Sequence, residues 1–284
     1  MGTQNVVSFY KDIPFNFSND EELSYQSILN SNQILEYTDL HFLLRERKNW
    51  IFKPKINNVI EFGCGTGWLT NTISHYYGKN LTSIDFTSKA LDIAKKVSKK
   101  LNVYPKYENC NIFDYKDSEL YDLVISMGVL HHTIDCKKAF KKIATLVKPG
   151  GYLYVGLYHL YGRRPMLNFL QSYCRWHGEN AAFNLFRKMN SSMTNKEHCY
   201  SWFRDQVLHP LETQHTYEEI LRWISDMPFK IKSTSINNYK KLLGFSNDDL
   251  FNLEKNLEKY SFKKNVIDLK FNPGYFTVCL QKDK

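Results

Sequence analysis

The chain has 284 residues, 43% of them hydrophobic and 15% aromatic, enough for one large domain or a domain with a sizeable insertion. No stretch approaches the roughly 18 apolar residues of a membrane span, and the opening MGTQNVVSFYKD shows no charged leader before an apolar run and, with Val6 in place of Ser or Thr, no myristoylation signal. The net charge of +9 raises the question of nucleic acid, but the lysine clusters 95, 96, 99, 100 and 137, 138, 141, 142 recur as outer helix faces without interleaved aromatics, so nucleic acid is not the expected partner.

In chain order, residues 1–18 are aromatic and irregular, and Ser18, Asn19 or Asp20 can cap a helix over 21–30, with a second helix expected near 35–47. A short buried strand is expected over 58–62, then a helix to about Tyr77, a strand over 81–85 and a helix capped by Thr87 or Ser88, with Leu91, Ala94, Val97 and Leu101 inward. A weaker strand near 103–109 and a buried one over 121–126 precede a helix from about Asp135 to Val147, which Pro149-Gly150-Gly151 ends before a strand at 152–158. Residues 161–215 carry aromatics, Arg and His without a strand pattern, and read as helices over one sheet edge. Thr216–Glu219 forms a capping box, followed by a strand at 229–236, an amphipathic helix at 246–260 and a closing strand at 274–282. Strands alternating with helices imply βαβ units, a mostly parallel sheet and ligands at the strands' carboxyl ends.

Six cysteines stand at 64, 110, 136, 174, 199 and 279 with no C-x-x-C pair, which suits free thiols in a reducing cytoplasm.

The most informative stretch is NVIEFGCGTGWLT at 58–70, a strand, a glycine turn and the start of a helix. Glycines there let a ligand lie against the main chain, beside the free N–H groups of the helix N-terminus. A dinucleotide fingerprint spaces its glycines G-x-G-x-x-G, whereas Gly63, Gly65 and Gly67 alternate and an acid, Glu61, precedes them by two.

This E-x-G-x-G-x-G pattern resembles motif I of the class I S-adenosylmethionine-dependent methyltransferases, and the resemblance runs over roughly 57–158 and the last two strands. It implies a Rossmann-like α/β fold, a seven-stranded sheet mostly parallel with the last strand antiparallel. It also implies S-adenosylmethionine as cofactor and S-adenosylhomocysteine as product. Its cofactor stations fall on Glu61, Gly63, Cys64, Gly65, Gly67 and Trp68, on Asp85 and Phe86 for the ribose, on Asn111-Ile112 where the family usually has Asp followed by Ala or Leu, and on Met127. YDLVISMGVLHHT (121–133) resembles motif IV and the acceptor-lining segment after it, and LVKPGGYLYVG (146–156) the turn that follows. Glu61 suits the cationic methionine end of such a cofactor, where a pyrophosphate would be repelled.

Acceptor-side candidates are His131, His132 and Tyr158, together with His209, Glu212 and His215 in HPLETQHT. With GLYHLYGRR (156–164), HPLETQHT resembles a bacterial small-molecule subgroup that carries GLYH-x-YGR and HP-x-E-x-x-HT segments. Three readings of HPLETQHT stay open: acceptor binding or proton abstraction, a structural hydrogen-bond network, and a metal site, for which no recognised motif is present. Arg163 and Arg164 can hold an acceptor anion or lie on the surface, and WFRDQ (202–206) adds Arg204 and Asp205. The expected organisation is an N-terminal helical segment, 1–50, covering the site, and a methyltransferase domain, 51–284, with a helical cap at about 160–215. The expected function is methyl transfer to a small molecule in the cytoplasm with histidine assistance. Alternatives are an RNA acceptor or a non-catalytic cofactor-binding subunit; no resident metal or membrane partner is expected, and the oligomeric state, a homodimer among the options, stays open.

Overall fold

The computed structural model describes residues 8–10, 15, 21–34, 38–44, 56–240, 242 and 245–284. Seven strands form one sheet in the order β3-β2-β1-β4-β5-β7-β6. They are β1 (Asn58–Phe62), β2 (Asn80–Asp85), β3 (Lys106–Asn109), β4 (Tyr121–Met127), β5 (Val147–Tyr158), β6 (Phe229–Thr234) and β7 (Tyr275–Lys282). β1 to β5 pair in parallel, and β7 runs antiparallel to both β5 and β6. The strand order turns back between β1 and β4, and the crevice beyond their carboxyl ends is where such a sheet binds ligands.

Helices α1 (Glu21–Asn30), α2 (His41–Leu44), α3 (Trp68–Tyr77), α4 (Ser88–Lys100) and α5 (Cys136–Ala144) precede β5 or connect the parallel strands. The apolar positions of α4, Leu91, Ala94, Val97 and Leu101 at its end, are all buried as their spacing expects. After β5 come three helices in succession, α6 (Leu160–His177), α7 (Glu179–Met189) and α8 (Lys196–Val207), which pack around their own apolar cluster of Met166, Leu170, Phe183, Phe186 and Phe203. α9 (Tyr217–Ile224) opens on the expected capping box of Thr216 and Glu219, and α10 (Asn247–Phe262) precedes β7. No helix among the described residues is long and apolar enough to cross a membrane.

Two expectations change. Of the helix expected near 35–47, residues 35–37 and 45–47 lie outside the described residues, and between them only the single turn of α2 is helical. The helix before Pro149 stops at Ala144, and β5 begins earlier, at Val147. Tyr121 draws Leu146 into the sheet by donating its N–H to the Leu146 carbonyl at 2.8 Å. The pairing then jumps from Tyr121–Val147 to Leu123–Tyr152, so the Pro-Gly-Gly turn is absorbed as a bulge inside the strand.

Candidate active site

The glycine turn is held from behind by β2. Gly63 and Cys64 both donate their N–H to the carbonyl of Ile84, at 2.7 and 3.2 Å, and Gly65 donates to Asp85 Oδ2 at 2.9 Å. The two outer demands on this turn differ. A Cβ on Gly63 would stand 2.1 Å from Val129, whereas a Cβ on Gly65 would meet nothing within 4 Å, and both residues have positive φ. The space beside Gly65 belongs to a cleft of about 1120 Å³, its open mouth included, at the carboxyl ends of β1, β2 and β4.

Gly63, Cys64, Gly65, Trp68, Asp85, Phe86, Asn111, Ile112, Met127 and His132 all line this cleft. Asp85 ends β2 with one backbone N–H on each oxygen, from Gly65 and, at 2.8 Å, from Thr87, which leaves a further lone pair on each. Burial raises its pKa. Asn111 accepts the N–H of Phe113 on Oδ1 at 2.9 Å, so its NH2 group is the donor left for the cleft. Among the described lining residues there is no Lys or Arg, and the charged side chains are Asp85 and Asp205.

Glu61 and Gly67 are placed differently. Gly67 sits behind the turn, where a Cβ would press on Ala94 at 2.7 Å. Glu61 is buried and accepts the hydroxyl of Thr70 at 2.5 Å, with Ser83 beyond it, and so ties β1 to α3 and β2 rather than facing the cleft. Burial pushes its carboxyl up to about 7.

The acceptor-side candidates separate into two groups. His132 and His209 come together, with ring centroids 3.8 Å apart, from the turn after β4 and the loop after α8. Asp205, from the last turn of α8, joins them: its oxygens accept Tyr10 Oη, Tyr158 Oη at 3.1 Å and Gln206 Nε2 at 2.9 Å. Burial pushes the His132 imidazole down to about 4, and burial with the neighbouring His132 pushes His209 down to about 3, so both are neutral at ordinary pH.

The second group is spent on architecture. Glu212 takes both hydrogen bonds of a buried two-point pair with Arg163, whose remaining donors go to Gln206 and Pro273 while its guanidinium lies 3.7 Å over the Tyr158 ring. Burial opposes ionisation of Glu212, yet the guanidinium holds its carboxyl below the usual range. His215 engages Thr213 and Glu219 through its two ring nitrogens, and its backbone bridges to the end of β5 at His159. His131 is buried and accepts the Tyr158 N–H on Nδ1. Arg163 is fully buried and Arg164 is exposed, so neither lies in the cleft lining. HPLETQHT is therefore an extended segment sewn to β5, as its Pro210 and Thr216 suggest, with only its first histidine at the cleft cluster.

Sequence reasoning missed Tyr10 and Phe15 as lining residues, and it singled out Asp205 without a role. Tyr10 lies 195 residues from the carboxylate it binds, and no local pattern carries a pairing of that range.

Comparison with known proteins agrees with this geometry. Residues 60–155 match the family described as "Methyltransferase domain". A curated relative, the ubiquinone biosynthesis O-methyltransferase of Coxiella burnetii, is 30% identical over 102 residues, covering 35% of this chain and 43% of the relative. The chain thus spans less than half the length of that relative. Among solved structures, PKMT2 from Rickettsia typhi, in complex with AdoHcy, covers 81% of this chain and 49% of its own at 15% identity and a TM-score of 0.56. The magnesium protoporphyrin IX methyltransferase of Synechocystis PCC 6803, solved with bound SAM, covers 100% of this chain and 92% of its own at 13% identity and a TM-score of 0.50. Those two likenesses concern the fold. The sequence match over residues 60–155, the strand order and the glycine turn agree with one another, and all are those of a methyltransferase domain.

Proposed function

We propose that this protein is an S-adenosylmethionine-dependent methyltransferase acting on a small acceptor in the reducing cytoplasm, in keeping with its six free cysteines. The observation that carries the reading is a single cleft in which Gly65, Asp85 and Asn111 share a lining with His132, Asp205 and Tyr10. Cofactor recognition and acceptor chemistry then adjoin within one space.

The cleft fits this cofactor. A sulfonium is cationic and carries no phosphate, which suits a lining that, among the described residues, has two carboxylates and no Lys or Arg. The open side of Gly65 gives a ligand the close approach to the backbone that a side chain would block. The free lone pairs of Asp85 match ribose hydroxyls, and the Asn111 NH2 group matches a ring-nitrogen acceptor of adenine. When bound, S-adenosylmethionine supplies an electrophilic methyl group. The chain's own residues then have to hold the acceptor in line and exclude water. Tyr10 and Phe15 cover the cleft from the N-terminal side, in support of a division into a covering segment, 1–50, and a domain, 51–284, with its cap at about 160–215. We assign Tyr158, Glu212 and His215 to positioning: each acts through Asp205, Arg163 or β5 rather than at the cleft surface.

An RNA acceptor fits this cleft poorly, because phosphate recognition wants cations and none line it among the described residues. Calorimetry with S-adenosylmethionine and S-adenosylhomocysteine tests the proposal. Saturable binding of both, abolished by Gly65→Arg in a folded protein, is expected; absence of binding by either would end it.

A further inference from the structure

Leu211 hydrogen-bonds two stacked imidazoles in opposite senses. Its carbonyl accepts from His132 Nδ1 at 2.9 Å, and only a ring nitrogen that carries hydrogen can donate to a carbonyl. His132 Nε2 therefore presents a lone pair. Its N–H donates to His209 Nδ1 at 3.1 Å, so that nitrogen carries the lone pair and His209 Nε2 carries the hydrogen. With both rings neutral, one residue fixes a complementary acceptor and donor side by side.

Neither outward nitrogen is satisfied among the described residues. His209 Nε2 is buried without a hydrogen-bond partner. His132 lines the cleft, and its Nε2 lies 3.9 Å from Asp205 Oδ1, too far for a hydrogen bond. Nitrogens of the two histidines and an oxygen of Asp205 all lie within 4.8 Å of one another. Groups bonded to one shared oxygen at about 2.8 Å stand roughly 4 to 4.6 Å apart. The ligands of a tetrahedral zinc ion, at about 2.0–2.1 Å from the metal, stand about 3.4 Å apart. The 3.9 Å between His132 Nε2 and Asp205 Oδ1 is wider than that zinc spacing. A metal would also need a lone pair on His209 Nε2, which the Leu211 N–H assigns to the other nitrogen.

Resting on the function proposed above, we infer that His132 and His209 form the subsite for one phenolic hydroxyl of the methyl acceptor, whose O–H donates to His132 Nε2 and whose oxygen accepts from His209 Nε2–H. The site asks for an atom that both donates and accepts. A carboxylate cannot donate, and an ammonium cannot accept. Tyr10, Phe15 and Phe86 line the cleft together with His132 and supply flat apolar walls for a ring, and His209 packs against His132 from outside that lining, ring centroids 3.8 Å apart. The weak basicity of the buried His132 also selects a hydroxyl of phenolic acidity, near 10 as for Tyr, over an aliphatic alcohol. In the proton step the O–H bond breaks as a His132 Nε2–H bond forms, and its electron pair stays on the acceptor oxygen, held by the His209 N–H. Asp205 faces the imidazolium so made.

The test uses the full chain loaded with S-adenosylhomocysteine, whose binding is measured first and decides the parent proposal separately. Histidine 15N spectra should show His132 protonated at Nδ1 and His209 at Nε2. Phenol, titrated into the loaded protein, should bind saturably and at least tenfold tighter than toluene, benzoate or benzylamine, about one net hydrogen bond's worth of discrimination. It should also shift the His132 Nε2 resonance. His209→Phe, which keeps the ring stack, should bring phenol down to the toluene level. Reversed tautomers, phenol binding no better than toluene, a preference for benzoate or benzylamine, no phenol binding in the millimolar range, or stoichiometric zinc binding that displaces phenol would each overturn the inference.

Discussion

Arg163 grips Glu212 at two points, Nε to Oε1 at 3.0 Å and Nη2 to Oε2 at 2.6 Å, with the guanidinium fully buried. The same guanidinium reaches the Gln206 carbonyl and the Pro273 carbonyl, so one side chain of α6 joins α8, HPLETQHT and the approach to β7. Removing one partner of a buried pair leaves an uncompensated charge, a loss of about 3–5 kcal/mol. Glu212→Gln and Arg163→Met should each lower the unfolding free energy read from urea titration by that much. Because Glu212 lies behind the cleft, any Glu212→Gln protein that remains folded should keep its affinity for S-adenosylhomocysteine.

The two glycines of the turn should fail in different ways. Gly63→Ala meets Val129 and keeps a positive φ, so overpacking and backbone strain together should cost about 3 kcal/mol or more of stability. Gly65→Ala meets open space, so its stability cost should be only about 1–2 kcal/mol while cofactor affinity falls. Thermal unfolding and calorimetry on both variants distinguish the outcomes. A Gly65→Ala protein that binds cofactor as tightly as the parent would contradict the placement of that glycine against the ligand.

Glu61 couples stability to pH. Its carboxyl is raised from 4.5 to about 7, so the folded chain holds the proton more tightly than the unfolded chain. This contribution is present below about pH 4.5 and is lost as pH rises through about 7; it amounts to about 3 kcal/mol. Glu61→Gln should remove that pH dependence and gain on the parent protein at pH 8, as read from denaturation curves taken across the range.

Histidine catalysis ordinarily leaves an inflection near pH 6.5. Here His132 is held down to about 4, so turnover should stay level from about pH 6 to about pH 8 as far as this residue governs it. A pH–rate profile with an acid limb at 6.5 that vanishes in His132→Asn would show that the ring is more solvated than its surroundings imply.

What the sequence carried was local. The strand-turn-helix at 58–70 is written in β-branched residues followed by alternating glycines, and the Thr216 capping box in two residues three apart; both appear where the pattern puts them. The end of α5 was misplaced because a register jump across β4 and β5 is decided by a neighbouring strand. Glu61 reads as a cofactor residue from its position in the pattern, and in the fold Thr70 donates to its carboxylate from behind while Ser83 pairs with Thr70. HPLETQHT is the sharper case. Its three polar residues look equivalent at spacing three, and only long-range partners separate them: Arg163 for Glu212, the end of β5 for His215, and His132 for His209.

The hydrogen bond from Tyr10 to Asp205 has a bearing on synthesis. At translation rates of about 5–20 residues per second, residue 10 must wait roughly 10–40 s before residue 205 is even made. The glycine turn and its sheet neighbours can be assembled well before then. The growing chain therefore passes through a stage in which the nucleotide side of the cleft is built and its aromatic cover has nowhere to dock.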